Sequence, residues 1–104
     1  MMLTGRHVPA EEGYQLGFVT EVVPHDKLME RTREWADMIT ACAPLSLRAS
    51  KDVAYKSLSM ASLQESMEHH YDSIEAMTNG EDFIEGPLAF SEKRAPNWTG
   101  KPRK

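Results

Sequence analysis

Few side chains here have the types and spacing that chemistry needs. His69 and His70 are adjacent, with Glu65 one turn earlier and Asp72-Ser73 just after. Glu65 and His69, four apart, would share a helix face. A zinc site needs three or four convergent ligands. Adjacent histidines point apart and no third ligand is placed, so no metal site is expected. Cys42 could be a nucleophile only beside a base. No histidine lies at useful spacing, and Cys42 falls on an apolar stripe, so it reads as a small core residue. Lys101, Arg103 and Lys104 form a basic end without aromatic partners. That is too small a footprint for nucleic acid or a membrane. The formal charge of -4 argues the same way for the whole chain.

The 104 residues fit one domain at most, with a modest core. At 40% hydrophobic and 27% charged, the chain is not of a disordered composition. A single cysteine allows no internal disulfide, which suits a reducing compartment. No apolar run approaches the ~20 residues that span a bilayer. The N-terminus lacks a basic region followed by an apolar one. A soluble, cytoplasmic protein is expected.

The elements that would position these residues are almost all helical. Pro9 can start a short helix over 10–16, and Gly17 can end it in the left-handed conformation. Phe18 to Val23 is apolar and β-branched enough for a short extended stretch, closed by Pro24. From Asp26 to about Ala43, Leu28, Thr32, Trp35, Ile39 and Cys42 recur at helical spacing. Pro44 ends that helix and opens the next, to about Leu58. Ser62 and Glu65 form a capping box. It opens a helix to about Met77, with Leu63, Met67, Tyr71 and Ile74 on one face. Asn79-Gly80 breaks it. A helix over 82–94 is expected to be interrupted at Gly86-Pro87. An irregular tail follows from Ala95.

Five stretches, in order along nearly the whole chain, resemble one family. Met2-Leu3-Thr4-Gly5-Arg6 resembles its Leu-Thr-Gly segment. Pro9 to Val19 is similar to its Ala-x-x-Ala-x-x-x-Gly-Leu-Val. Val22-Val23-Pro24 followed by Leu28 also matches. Ala43-Pro44-Leu45 with Lys51 looks like its Ala-Pro helix junction. Glu81 to Gly86 with Ala89-Phe90-x-Glu92-Lys93-Arg94 is the most specific stretch. Together they resemble the C-terminal portion of the crotonase superfamily, the enoyl-CoA hydratases and isomerases. Gly13 stands where alanine is usual and Phe18 where leucine is common, neither being expected to touch chemistry.

The resemblance implies a mainly α region with at most one short strand. Residues 1–24 would be the end of the crotonase core, 25–94 the helical oligomerisation region and 95–104 the tail. In the family an oxyanion hole and, in hydratases, two glutamates act on a CoA thioester. Those groups would precede this chain. Glu11, Glu12 and Glu21 are then solvated charges, no catalytic residue is expected here, and the isolated chain would be inactive and bind no cofactor by itself. By position, Phe90 and Lys93 match residues that reach the adenine and phosphate end of CoA. Ile74 falls near the acyl group. Phe90 also reads as core, and Lys93 as part of a solvated run. The last stretch resembles hydratases and carnitinyl-CoA dehydratases. Isomerases, dehalogenases and decarboxylases remain open, as does a non-catalytic helical module. Whether the chain is a separate gene product, a truncation or a remnant also stays open. Dimers or trimers are expected.

Overall fold

The computed structural model describes residues 2–103. Six α-helices follow in chain order: α1 (Ala10–Gln15), α2 (Leu28–Thr40), α3 (Pro44–Ser57), α4 (Leu63–Glu68), α5 (Asp72–Thr78) and α6 (Asp82–Ser91). A 3-10 turn (His25–Lys27) precedes α2. Among the described residues no strand forms, and Phe18 to Val23 is irregular. The chain divides into two compact units at Ala36, within α2.

The first unit is built around α1. Pro9 caps it, and Gly17 follows at φ +84°, a left-handed conformation that favours glycine. The chain then doubles back, Phe18 N and Val19 N both donating to Gly13 O. Gly13 is buried beneath this return. Arg6 forks onto Glu12 at 2.8 Å through both terminal nitrogens. Glu21 accepts from Arg31 Nε at 2.8 Å and Trp35 Nε1 at 2.9 Å. Glu12 and Glu21 are thus paired rather than simply solvated, and both carboxyls lie below the usual range because of these donors.

In the second unit α5 packs against α3 and, over less surface, against α6. Ala49 of α3 is buried at this contact level, and Ser73 donates to Asp52 at 2.7 Å. Gly80 approaches α3 so closely that a Cβ there would lie 2.6 Å from Leu45 Cδ1. Among the described residues no large side chain is fully buried.

Three expectations are corrected. The helix that begins at Ser62 does not run to Met77. His69 turns extended at ψ 136°, and Tyr71 caps a new helix. Tyr71 is 5% exposed, its hydroxyl 3.0 Å from Ser66 Oγ and 3.5 Å from Met60 Sδ. Burying that ring requires the break. Conversely, α6 runs through Gly86-Pro87 unbroken. Proline crowds the residue before it through that residue's Cβ; Gly86 has none, and only one backbone bond is lost. Cys42 is exposed rather than core, like the rest of its stripe: α2 buries none of its residues, and Leu28, Trp35 and Ile39 are exposed as well.

The capping box forms with a shift. Glu65 N donates to Ser62 Oγ at 3.1 Å, but the Glu65 carboxylate accepts from Ala61 N, one residue before the cap. The tail has no regular element, yet it is tied down. Trp98 Nε1 donates to Ala41 O at 2.7 Å. Glu81 N donates to Lys101 O and Arg103 N to Asn79 O. Gly80 and Pro102 form an isolated bridge. Lys104 lies outside the described residues.

Candidate functional site

The end of α6 carries the residues singled out from sequence. Ala89, 1% exposed, anchors the last turn inward. Phe90, next to it, turns outward and is 87% exposed, so it is not core. Lys93 lies just past the helix at φ +55°, the only non-glycine with positive φ among the described residues. Its N–H donates to Phe90 O at 3.2 Å, and Arg94 N donates to Ala89 O at 3.0 Å. This pair of bonds is a Schellman closure, in which the left-handed position is ordinarily glycine. A lysine there costs roughly 1–2 kcal/mol relative to a residue without Cβ. Among the described residues its ammonium has no carboxylate partner.

The next residue, Arg94, is gripped by two carboxylates. Its guanidinium meets both oxygens of Glu85, at 2.6 and 2.9 Å, and Nε meets Glu92 at 2.6 Å. Glu85 also accepts from Asn97 N at 2.6 Å. The Arg94 fork first, and then the Asn97 amide, hold the Glu85 carboxyl down at about 2. The Arg94 guanidinium is raised by the same Glu85 contact and by Glu92. Behind this clasp, Asp82 at the start of α6 is 5% exposed. It accepts from Thr99 N at 2.7 Å, Gly100 N at 3.0 Å and Thr99 Oγ1 at 3.3 Å. The Trp98 ring lies where a Cβ on Gly86 would meet it at 3.3 Å.

Phe90 and Lys93 are therefore brought to one turn. Ile74 is not brought to them. It lies on α5 and lines a shallow apolar depression with Ala49, Val53 and Ala54 of α3 and Met77. Glu85, Arg94 and Asp82 lay inside the most specific sequence stretch without being singled out. A nine-residue spacing has no helical meaning, and a left-handed lysine leaves no mark on the sequence. The histidines do not converge either. His69 ends α4, so it no longer shares a helix with Glu65, and His70 Nε2 sits 3.3 Å from Asp72 and 3.2 Å from Glu75. Among the described residues no three metal-ligating side chains cluster. No helix there is long and apolar enough to cross a membrane.

One turn that carries an exposed aromatic and, among the described residues, a lysine without a carboxylate partner suits a planar base joined to phosphate. The chain belongs to the enoyl-CoA hydratase/isomerase family, whose model matches residues 1–101. It is 39% identical over 108 aligned positions to the carnitinyl-CoA dehydratase of Escherichia coli, covering 97% of this chain and 40% of that protein. The enzyme of the same name from Proteus mirabilis is 37% identical, with the same coverage. Among solved structures, an enoyl-CoA hydratase/isomerase from Mycobacterium paratuberculosis is similar at a TM-score of 0.86 and 37% identity, over 94% of this chain and 38% of that one. An enoyl-CoA hydratase from Mycobacterium tuberculosis gives 0.87 at 30% identity, over 95% and 39%. The chain thus spans about 40% of the length of the curated relatives it matches. The match falls on the C-terminal region of the crotonase fold, and this part of it is mainly α.

Proposed function

We infer that this chain supplies the C-terminal helical part of a cytoplasmic enoyl-CoA hydratase-like enzyme, one that adds water to an acyl-CoA thioester or removes it. The dehydratase activity named for the relatives favours the hydro-lyase branch over isomerisation. In this reading the chain supplies no catalytic residue. Phe90 packs on the adenine of CoA, Lys93 pairs with its phosphate, and Ile74 lies toward the acyl group. The catalytic carboxylates and oxyanion hole belong to the core to which this part is joined. The observation that carries the reading is that one turn bears both the exposed Phe90 ring and Lys93, which has no carboxylate partner among the described residues.

Magnitudes define the test. A single exposed charged contact contributes ~0–1 kcal/mol, whereas millimolar affinity corresponds to about 4 kcal/mol. The isolated chain should therefore not bind CoA measurably. In the complete enzyme that carries this segment, Lys93→Ala should raise KM for crotonyl-CoA by up to about fivefold and leave kcat largely intact. That is the pattern of lost uniform binding remote from the reacting carbon. An unchanged KM would make Lys93 a solvated surface charge and remove the ligand role.

A further inference from the structure

Glu85 and Arg94 are nine residues apart. On a continuous helix that spacing would separate them by roughly 13–14 Å along the axis. They touch at 2.6 Å, so the chain must reverse between them. The reversal is made at Lys93 alone, the one residue of this segment in the left-handed region. The ion pair therefore requires this reversal, as do the ties from Thr99 and Gly100 back to Asp82 at the start of the helix. If Lys93 returned to helical angles, α6 would run on, Arg94 would leave Glu85, and the lysine side chain would project in another direction. Strain of this kind persists only where the surroundings over-determine it. Nearest the turn they do so through Arg94 on Glu85 and Glu92 and through Asn97 N on Glu85, and further along through Thr99 and Gly100 on Asp82. The Glu85 side chain is 18% exposed, so water competes weakly for it.

We propose that Arg94 is a positioning residue: clasped by Glu85 and Glu92, it keeps Lys93 left-handed and so sets the direction in which the Lys93 ammonium reaches a ligand beside Phe90. This rests on the ligand role of Lys93 given above. The guanidinium of Arg94 is engaged by its own chain. A lysine in its place would keep the charge but lose the fork that holds two carboxylates at once. Glycine at 93 would satisfy the turn without strain but carry no ammonium. The clasp is thus what allows a cation to occupy a position that the turn would give to glycine.

Two measurements test it. In the 104-residue chain, the backbone coupling and Cα shift of Lys93 report the sign of φ. Glu85→Gln, Arg94→Lys and Arg94→Ala should each shift them toward negative φ, circular dichroism confirming that the helices remain. In the complete enzyme, Arg94→Ala and Glu85→Gln should raise KM for crotonyl-CoA about threefold or more with kcat retained. On a Lys93→Ala background neither should add to the loss, because both act through the same ammonium. A positive φ that survives in Glu85→Gln and Arg94→Lys overturns the proposal. So do KM effects that simply add. If Lys93→Ala alone leaves KM unchanged, the ligand role itself fails and the proposal goes with it, whatever the coupling data show.

Discussion

A methyl group on Gly13 would lie 2.7 Å from Val19 Cγ2 and 3.0 Å from Phe18 Cε2. Gly13 and Phe18 are therefore close neighbours where the chain returns after α1. The Phe18 ring occupies space that an alanine at 13 would need. Overpacking of this kind costs about 1–3 kcal/mol, against a helix-propensity gain of up to about 1 kcal/mol. Gly13→Ala should lower stability by a net loss of up to about 2 kcal/mol. Adding Phe18→Leu should recover part of it. Urea titrations of the three variants decide this, and an alanine variant as stable as the parent would show that the return after α1 simply yields.

Asp82 ties the tail to α6 by accepting two backbone amides, Thr99 N and Gly100 N, on separate oxygens. Asparagine has one acceptor oxygen, so Asp82→Asn must orphan one amide. Leaving a buried donor unpaired costs about 1–3 kcal/mol. Hydrogen exchange at Thr99 or Gly100 should accelerate well before that of the α3 amides. Uniform protection in the variant would rule out the tie.

The Glu85 carboxyl, held down at about 2, fixes the pH window of the Arg94 clasp. A depressed folded value means that the clasp's stabilisation is complete above the ordinary carboxylate range. It declines as pH falls through that range and is gone once pH drops below about 2. The parent and Glu85→Gln should therefore differ in stability by a constant amount from pH 6 to 8 and converge in acid. Convergence already near neutral pH would contradict the pairing.

Self-association is expected of the chain itself. Leu58 and Leu63 are 84% and 77% exposed, with Met67 and Phe90 similarly open. Exposed apolar side chains of this kind favour burial against another copy. Sedimentation equilibrium should show dimers or trimers at micromolar concentration; a monomer throughout that range would sink the idea.

Local signals carried most of the helices. Pro44 at the first turn of α3, Ser62 as a cap and Gly17 past α1 all act within a few residues, and each sits where its side chain or φ preference puts it. What local signals miss includes contacts between separated residues. The break before Tyr71 is imposed by burial of its ring against Met60 and Ser66, a contact that periodicity does not see. The tail is as irregular as its sequence reads, but its ties run to Asp82, Glu81 and Ala41, far away in sequence, and leave no local pattern. At the site, residue types pointed to Phe90 and Lys93 through the family pattern. The clasp that shapes their turn depends on a backbone conformation no side-chain pattern announces.

The bond from Trp98 to Ala41 has a temporal side. It joins residues 57 apart, and the ties from Thr99 and Gly100 to Asp82 span 17 and 18. The helices α3 to α6 close their own bonds locally, within microseconds of leaving a ribosome. Trp98 and Thr99 are synthesised after every helix they fasten. At about 5–20 residues per second, α3 waits seconds for the indole that closes the second unit. During that interval the turn between α2 and α3 is not yet fastened to the tail.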